Sequence, residues 1–289
     1  MVKEKPHKFG GVWSIIKLDR VEAYLRAFTT ALQGKGFLLV YIDAFAGSGN
    51  FIPRNETLLP LLDDAEETTA IIGSARRAMA IKPDFDRLYF IESKPRKAKQ
   101  LAAIAKDDTR CGVVHGDANE EVTKICQRLS GDRMMRGVVF LDPFGNSVAW
   151  ETLEAIRQTE KFDVWYLCPL AGIYRNAPHS MADLTEEKRN SITRILGTSD
   201  WVQNFYAEAK QKSLFDNVGT SSVRTLNVDA IENFVFERLK SLFPSVLRPL
   251  RLLGPTKAPL FSLFFAVSNP NQTAQKLANR IASHIISKK

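Results

Sequence analysis

The chain is poor in the residues from which metal centres and disulfide frameworks are built. It has three cysteines and four histidines in 289 residues. Cys111, Cys126 and Cys168 are isolated, with no C-x-x-C spacing, and their odd number suggests neither a disulfide framework nor a zinc site. No stretch approaches the ~18 apolar residues that mark a membrane span. The N-terminal MVKEKPHKFG shows no apolar signal region. The expectation is a protein of a reducing, cytoplasmic setting with no membrane partner. Internal repeats and low-complexity tracts are also missing, which excludes solenoids and propellers. What is present is ordinary for a folded domain: 45% hydrophobic and 25% charged residues, on a chain long enough to bury a full core. Forty Lys and Arg against 32 Asp and Glu give a formal charge of +8. The resulting pI of about 9.4 favours a polyanionic partner such as nucleic acid without proving one.

The remaining pattern is organised around residues 37–50. The run FLLVYI is continuously apolar, as in a strand buried on both faces of a parallel sheet, and it closes on Asp43. Ala44, Phe45, Ala46, Gly47, Ser48 and Gly49 follow. The two glycines permit a tight turn and a close approach of main-chain N–H groups to a ligand. Such a turn after a central strand is a site for a nucleoside-bearing cofactor. Three further acids each end an apolar run. Glu92 closes RLYFIE, where a carboxylate can accept both ribose hydroxyls, and Ser93 follows it. Its distance from Asp43 exceeds the usual ~20 residues, and the irregular insertion 51–72 accounts for the excess. Asp117, with Ala118 and Asn119, follows the short run GVVH, where an Asp or Asn can read the amino edge of a purine. Asp142 closes GVVFL and opens Asp-Pro-Phe-Gly. There Pro143 biases the preceding residue toward extended geometry, and Asp142 with nearby carbonyls can accept from an amino group. Phe144 can stack on a flat ring, and Gly145 completes the motif. This arrangement orients a nitrogen lone pair at an electrophilic carbon, which is catalysis by positioning.

In chain order, residues 1–12 read as polar and loosely held. Asp19 and Glu22 read as a capping-box variant opening a helix that carries Val21, Tyr24, Leu25, Phe28 and Leu32 and ends at Gly34 or Gly36. Trp13 and Lys17 precede it on this reading. Lys17 is either a solvated charge or a cation reaching a carboxylate of the cofactor. The insertion, with its acidic cluster at 63–67, is either a lid or a surface excursion. A lysine-rich helix over 95–105 reads as a solvated face, and His115 as structural. Helix and strand alternate through 170, so a parallel α/β sheet is expected. Beyond it, residues 185–212 read as helical, 213–227 as a connector and 228–242 as an amphipathic helix. A hairpin over 246–267 and a last helix carrying Ala274, Leu277, Ile281 and Ile285 close the chain. The division expected is 1–36, an N-terminal segment and helix; 37–170, the cofactor-binding core; and 171–289, helices and a hairpin closing the same sheet.

DAFAGSG, FIES, GDAN and FLDPFG, in that order, resemble the four motifs of S-adenosylmethionine-dependent methyltransferases. More narrowly, Trp13, Lys17, Tyr24-Leu25 and these motifs are similar to the three-Cys-motif partner protein family, TcmP, over most of 13–170. The resemblance implies a Rossmann-like class I methyltransferase fold with a mostly parallel sheet, a C-terminal antiparallel hairpin and added helices. It implies S-adenosyl-L-methionine as cofactor, with Lys17, Asp43, Phe45 to Gly49, Glu92, Ser93, Asp117, Ala118 and Asn119 lining its pocket and no metal required. It also implies a companion protein carrying a three-cysteine motif. DPFG is similar to the tRNA guanine-N2 methyltransferases, which would put Asp142, Pro143, Phe144 and Gly145 at the transfer site. The activity expected is N-methylation of an exocyclic amine on a nucleic-acid base or modified nucleotide. The alternative is a methyltransferase-like module that binds nucleotide or nucleic acid and assists the companion without turnover.

Overall fold

The computed structural model describes residues 12–51, 71–208, 222–254 and 256–288. The strands are β1 (Leu38–Asp43), β2 (Asn50–Phe51), β3 (Ile71–Ile72), β4 (Arg87–Glu92), β5 (Cys111–His115), β6 (Met135–Leu141), β7 (Phe162–Cys168), β8 (Tyr206–Glu208), β9 (Ser222–Arg224), β10 (Ser245–Leu253) and β11 (Pro259–Val267). The helices are α1 (Val12–Leu32), α2 (Ser74–Met79), α3 (Pro95–Ala105), α4 (Ala118–Leu129), α5 (Trp150–Thr159), α6 (Leu170–Asn176), α7 (Glu186–Leu196), α8 (Trp201–Phe205), α9 (Val228–Leu242) and α10 (Gln272–Ser287).

Seven strands form one sheet in the order β10-β11-β7-β6-β1-β4-β5. β5, β4, β1, β6 and β7 run parallel. β11 enters antiparallel against β7 and pairs antiparallel with β10. The apolar runs are continuous because both faces of the sheet are covered. One core packs Leu18, Tyr24 and Leu25 of α1, together with residues of α2, α3 and α10, on one face. The other packs α4, α5, α6, α7 and α9 on the opposite face. None of the described helices is long and apolar enough to cross a membrane.

Central strands leave little room for change. A Cβ built on Gly137 of β6 would lie 2.4 Å from the Phe162 ring and 2.7 Å from the Val40 carbonyl oxygen. The neighbouring main chain is fixed by the sheet ladder and cannot withdraw. Gly137→Ala is therefore expected to destabilise the protein by about 1–3 kcal/mol through overpacking. The effect should appear as a lower urea midpoint with an unchanged slope. An unaltered midpoint would contradict the packing described here.

Several expectations need correction. α1 starts at Val12, so Trp13 and Lys17 lie on the helix. Nothing between Val12 and Asp19 breaks a helix, and Asp19 and Glu22 do not open one. Both instead take Arg77 of α2, at 2.6 and 3.0 Å, and clamp the two helices together. Within 185–212, Gly197 takes a left-handed conformation and ends α7. α8 is short, and β8 pairs with β9 inside the expected connector. On α10 the buried stripe is Ala278, Ala282 and Ile285, with Leu277 and Ile281 only half-buried. Most of the 51–72 insertion, including its acidic cluster, lies outside the described residues. Its two ends meet in the β2–β3 ladder, and Gly73 N–H donates to Gly49 O at 3.0 Å.

Candidate active site

Parallel strands deliver their C-terminal ends to one edge of the sheet, and that edge collects the acids singled out above. Asp43 ends β1, Glu92 ends β4, and Asp142 directly follows β6. β1 lies between the other two. The turn after Asp43 is pinned to both neighbours: Ala44 N–H donates to Phe140 O at 3.1 Å and Ala46 N–H to Ile91 O at 2.9 Å. Gly47 and Gly49 then adopt φ of +65° and +83°, the left-handed region that side chains disfavour. A Cβ on Gly47 would meet nothing within 4 Å, so the loop opens outward at that point.

Asp43 is fully buried. Its Oδ1 accepts from Phe45 N–H at 3.3 Å, whereas Oδ2 has no hydrogen-bond partner among the described residues. Burial pushes its pKa from 3.8 up to about 7. The Ser74 hydroxyl counters this, the Asp142 charge reinforces it, and the Phe45 N–H and Lys17 pull it back down. A buried, half-satisfied carboxyl is costly unless something else completes it.

Lys17 is paired within the protein. It is buried, and its Nζ donates to Asp142 Oδ2 at 2.5 Å. Neither sequence-based reading of Lys17 describes this pair. α1 is anchored for the task by Tyr24, whose hydroxyl donates to Asp163 Oδ2 of β7 at 2.6 Å. One turn before Lys17, the Trp13 ring lies 5.5 Å from Nζ and packs on Phe261 with centroids 4.8 Å apart. The pairing was missed because a helix begun at Asp19 leaves Lys17 without a fixed direction. Continuing the helical period from Val21 back to Lys17 would have aimed it at the strand ends.

Glu92 is largely buried, and its Oε1 accepts from Lys94 N–H at 2.7 Å and lies 3.5 Å from the Ser93 hydroxyl. His115 Nε2 lies 3.1 Å from Ser93 O and ties β5 to β4, a structural part. Asp117 caps α4, accepting from Asn119 and Glu120 N–H at 2.9 and 3.3 Å. Asn119 serves as a strut. Its Nδ2 donates to Asp117 Oδ1 and Ser147 O, and its Oδ1 accepts from Ala149 N–H and the Thr152 hydroxyl. These bonds occupy the amide's donors and acceptor within the protein. Phe45 and Ala46 are likewise committed through their N–H groups to Asp43 and Ile91, and they shape the loop. Ala118 is buried at the start of α4. Beyond Asp142, Pro143 is buried and Phe144 is 77% exposed. Gly145 has φ +68°. Among the described residues, no group of three or more His, Cys, Asp or Glu is placed to hold a metal ion.

The strand order, the single antiparallel strand β11 and the loop after β1 define a Rossmann-like fold of the class I methyltransferase type. A solved structure agrees at the level of fold. Protein LPL1258 from Legionella pneumophila is similar with a TM-score of 0.54 and 14% identity, covering 95% of this chain and 92% of its own. Trm1 from Pyrococcus horikoshii, solved with S-adenosyl-L-methionine, gives 0.40 and 11%, covering 93% of this chain and 59% of its own. M. jannaschii TYW2, solved with AdoMet, gives 0.37 and 10%, covering 90% and 79%. No family model matches the sequence, and no curated protein matches it.

Proposed function

We propose that this protein is an S-adenosyl-L-methionine-dependent N-methyltransferase acting on an exocyclic amine of a nucleic-acid base or modified nucleotide. The observation that carries the reading is the convergence of Asp43, Glu92 and Asp142 at the ends of three adjacent strands, around a left-handed glycine loop. The residues present fit the cofactor on two counts. Asp43 Oδ2 is buried without a partner among the described residues, as suits a cationic ligand group. Gly47 leaves open space where a side chain would stand, as suits a close backbone approach.

When bound, S-adenosyl-L-methionine supplies an electrophilic methyl group on a sulfonium. Glu92 holds the ribose hydroxyls from the tip of β4. The glycine loop admits the methionyl part, and Asp43 faces its positive charge. Asp117 and Ala118 border the base from the start of α4. Asp142 and the main-chain carbonyls beside Pro143 accept from the amine, so that its lone pair points to the donor. Phe144, held outward by the turn at Gly145, stacks on the ring that bears the amine. The +8 charge supports a polyanionic substrate. The motif resemblance to the TcmP family supports a companion protein with a three-cysteine motif.

A module without turnover is the second reading. It is favoured by one observation: the amine acceptor Asp142 is already engaged by Lys17. Calorimetric titration with S-adenosylmethionine and S-adenosylhomocysteine, followed by labelled-donor assays on tRNA and DNA, separates the two. Micromolar binding with methyl transfer that disappears in Asp142→Ala is expected. Binding without transfer, and activity only in a companion, would favour the module. Folded protein that binds neither ligand would remove the methyltransferase reading.

A further inference from the structure

Lys17 is one cation set among carboxylates. Its Nζ holds Asp142 Oδ2, with the two side chains 7% and 23% exposed. It also acts on Asp43, the acid at the end of the next strand, which feels Asp142 as well. Tyr41, buried in β1, is a further titratable group that feels Asp43 and Asp142, and its hydroxyl has no hydrogen-bond partner among the described residues. A lysine suits more than one partner here. Its ammonium sits on a flexible four-carbon stem with rotatable donors, whereas an arginine fork fixes one geometry. While Asp142 Oδ2 carries that ammonium, its charge is neutralised and it is a weaker acceptor for an amine substrate.

We propose that Lys17 serves two carboxylates in turn, Asp142 and the α-carboxylate of the bound methionyl group, so that donor binding and release of Asp142 are one event. The inference rests on the methyltransferase reading and deepens it. Lys17 becomes the residue that makes the amine acceptor ready only in the donor-loaded protein. Linkage gives it a distinctive sign. A ligand that takes Lys17 must first break the Lys17–Asp142 pair, so removing the Asp142 charge should tighten donor binding. Simple charge attraction predicts the reverse, because the methionyl ammonium is drawn to anions.

The test is calorimetric titration of wild type, Lys17→Met, Asp142→Asn and the double variant. S-adenosylhomocysteine is compared with 5′-methylthioadenosine, which lacks the amino-acid part. Lys17→Met should weaken S-adenosylhomocysteine roughly ten- to a hundredfold, the worth of one hydrogen bond to a charged group. Asp142→Asn should tighten it by about two- to tenfold. The double variant should match Lys17→Met, and 5′-methylthioadenosine should bind all four proteins alike. The double variant leaves no unpaired charge at positions 17 and 142, so it guards against a fold lost through Lys17→Met alone. Unchanged or weaker S-adenosylhomocysteine binding by Asp142→Asn, or a parallel shift with 5′-methylthioadenosine, would overturn the exchange while leaving the methyltransferase reading in place. Wild type that binds neither nucleoside would overturn both.

Discussion

Glu92→Ala is expected to weaken S-adenosylhomocysteine binding by a hundredfold or more. Two ribose hydroxyls donating to one carboxylate are two charge-assisted bonds, each worth about 1.5–3 kcal/mol. Little else depends on this side chain. Its carboxylate closes the turn before α3 through Lys94 N–H, a hydrogen bond worth about 1 kcal/mol. The variant should therefore stay folded, with a modest fall in its melting temperature. Glu92→Gln keeps the shape and one acceptor, and should fall between wild type and Glu92→Ala. Titration calorimetry reads the ratio directly. Wild-type affinity in Glu92→Ala would take the β4 tip out of the site and leave the order of strand-end acids without its functional meaning.

The fold was legible where the sequence alternates strongly. The runs ending at Asp43, Glu92 and Asp142 are buried on both faces, and sheets covered by helices leave that continuous signature. The order of those runs also gave the sheet its class, because the last hairpin falls where a reversed strand is needed. The site was legible by position and less so by partner. A carboxylate at a strand tip can be read from spacing, but its bonds depend on what the fold brings beside it. Asn119 sits in the expected motif yet spends its amide on Ser147, Ala149 and Thr152, which are distant in sequence. Asp19 and Glu22 carry the spacing of a cap, yet they answer to Arg77. Lys17 and Asp142 are separated by 125 residues, and no local pattern records their pairing. Such contacts follow from tertiary placement, which overrides local preference.

On the proposed reading, Asp43 is expected to make cofactor affinity depend on pH with a defined sign. Its pKa stands at about 7 in the folded protein against an ordinary 3.8, so at pH 5 the carboxyl is protonated and neutral. Folding therefore holds a proton between about pH 4 and 7 that the unfolded chain releases. The contribution of this group to stability accordingly declines as pH rises through that window. Binding of a cation runs the opposite way, because the methionyl ammonium and the sulfonium favour the ionised form. Below pH 7 each unit should cost about tenfold in S-adenosylmethionine affinity, or roughly fiftyfold between pH 7 and pH 5. Lys17 and Asp142 face the same carboxyl with opposite effects. Asp43→Asn cannot ionise, so its affinity should be low and flat over the same interval. Calorimetry at pH 5, 6 and 7 in wild type and Asp43→Asn decides the matter. A flat wild-type profile would mean that Asp43 is a structural carboxyl whose free oxygen meets no cation.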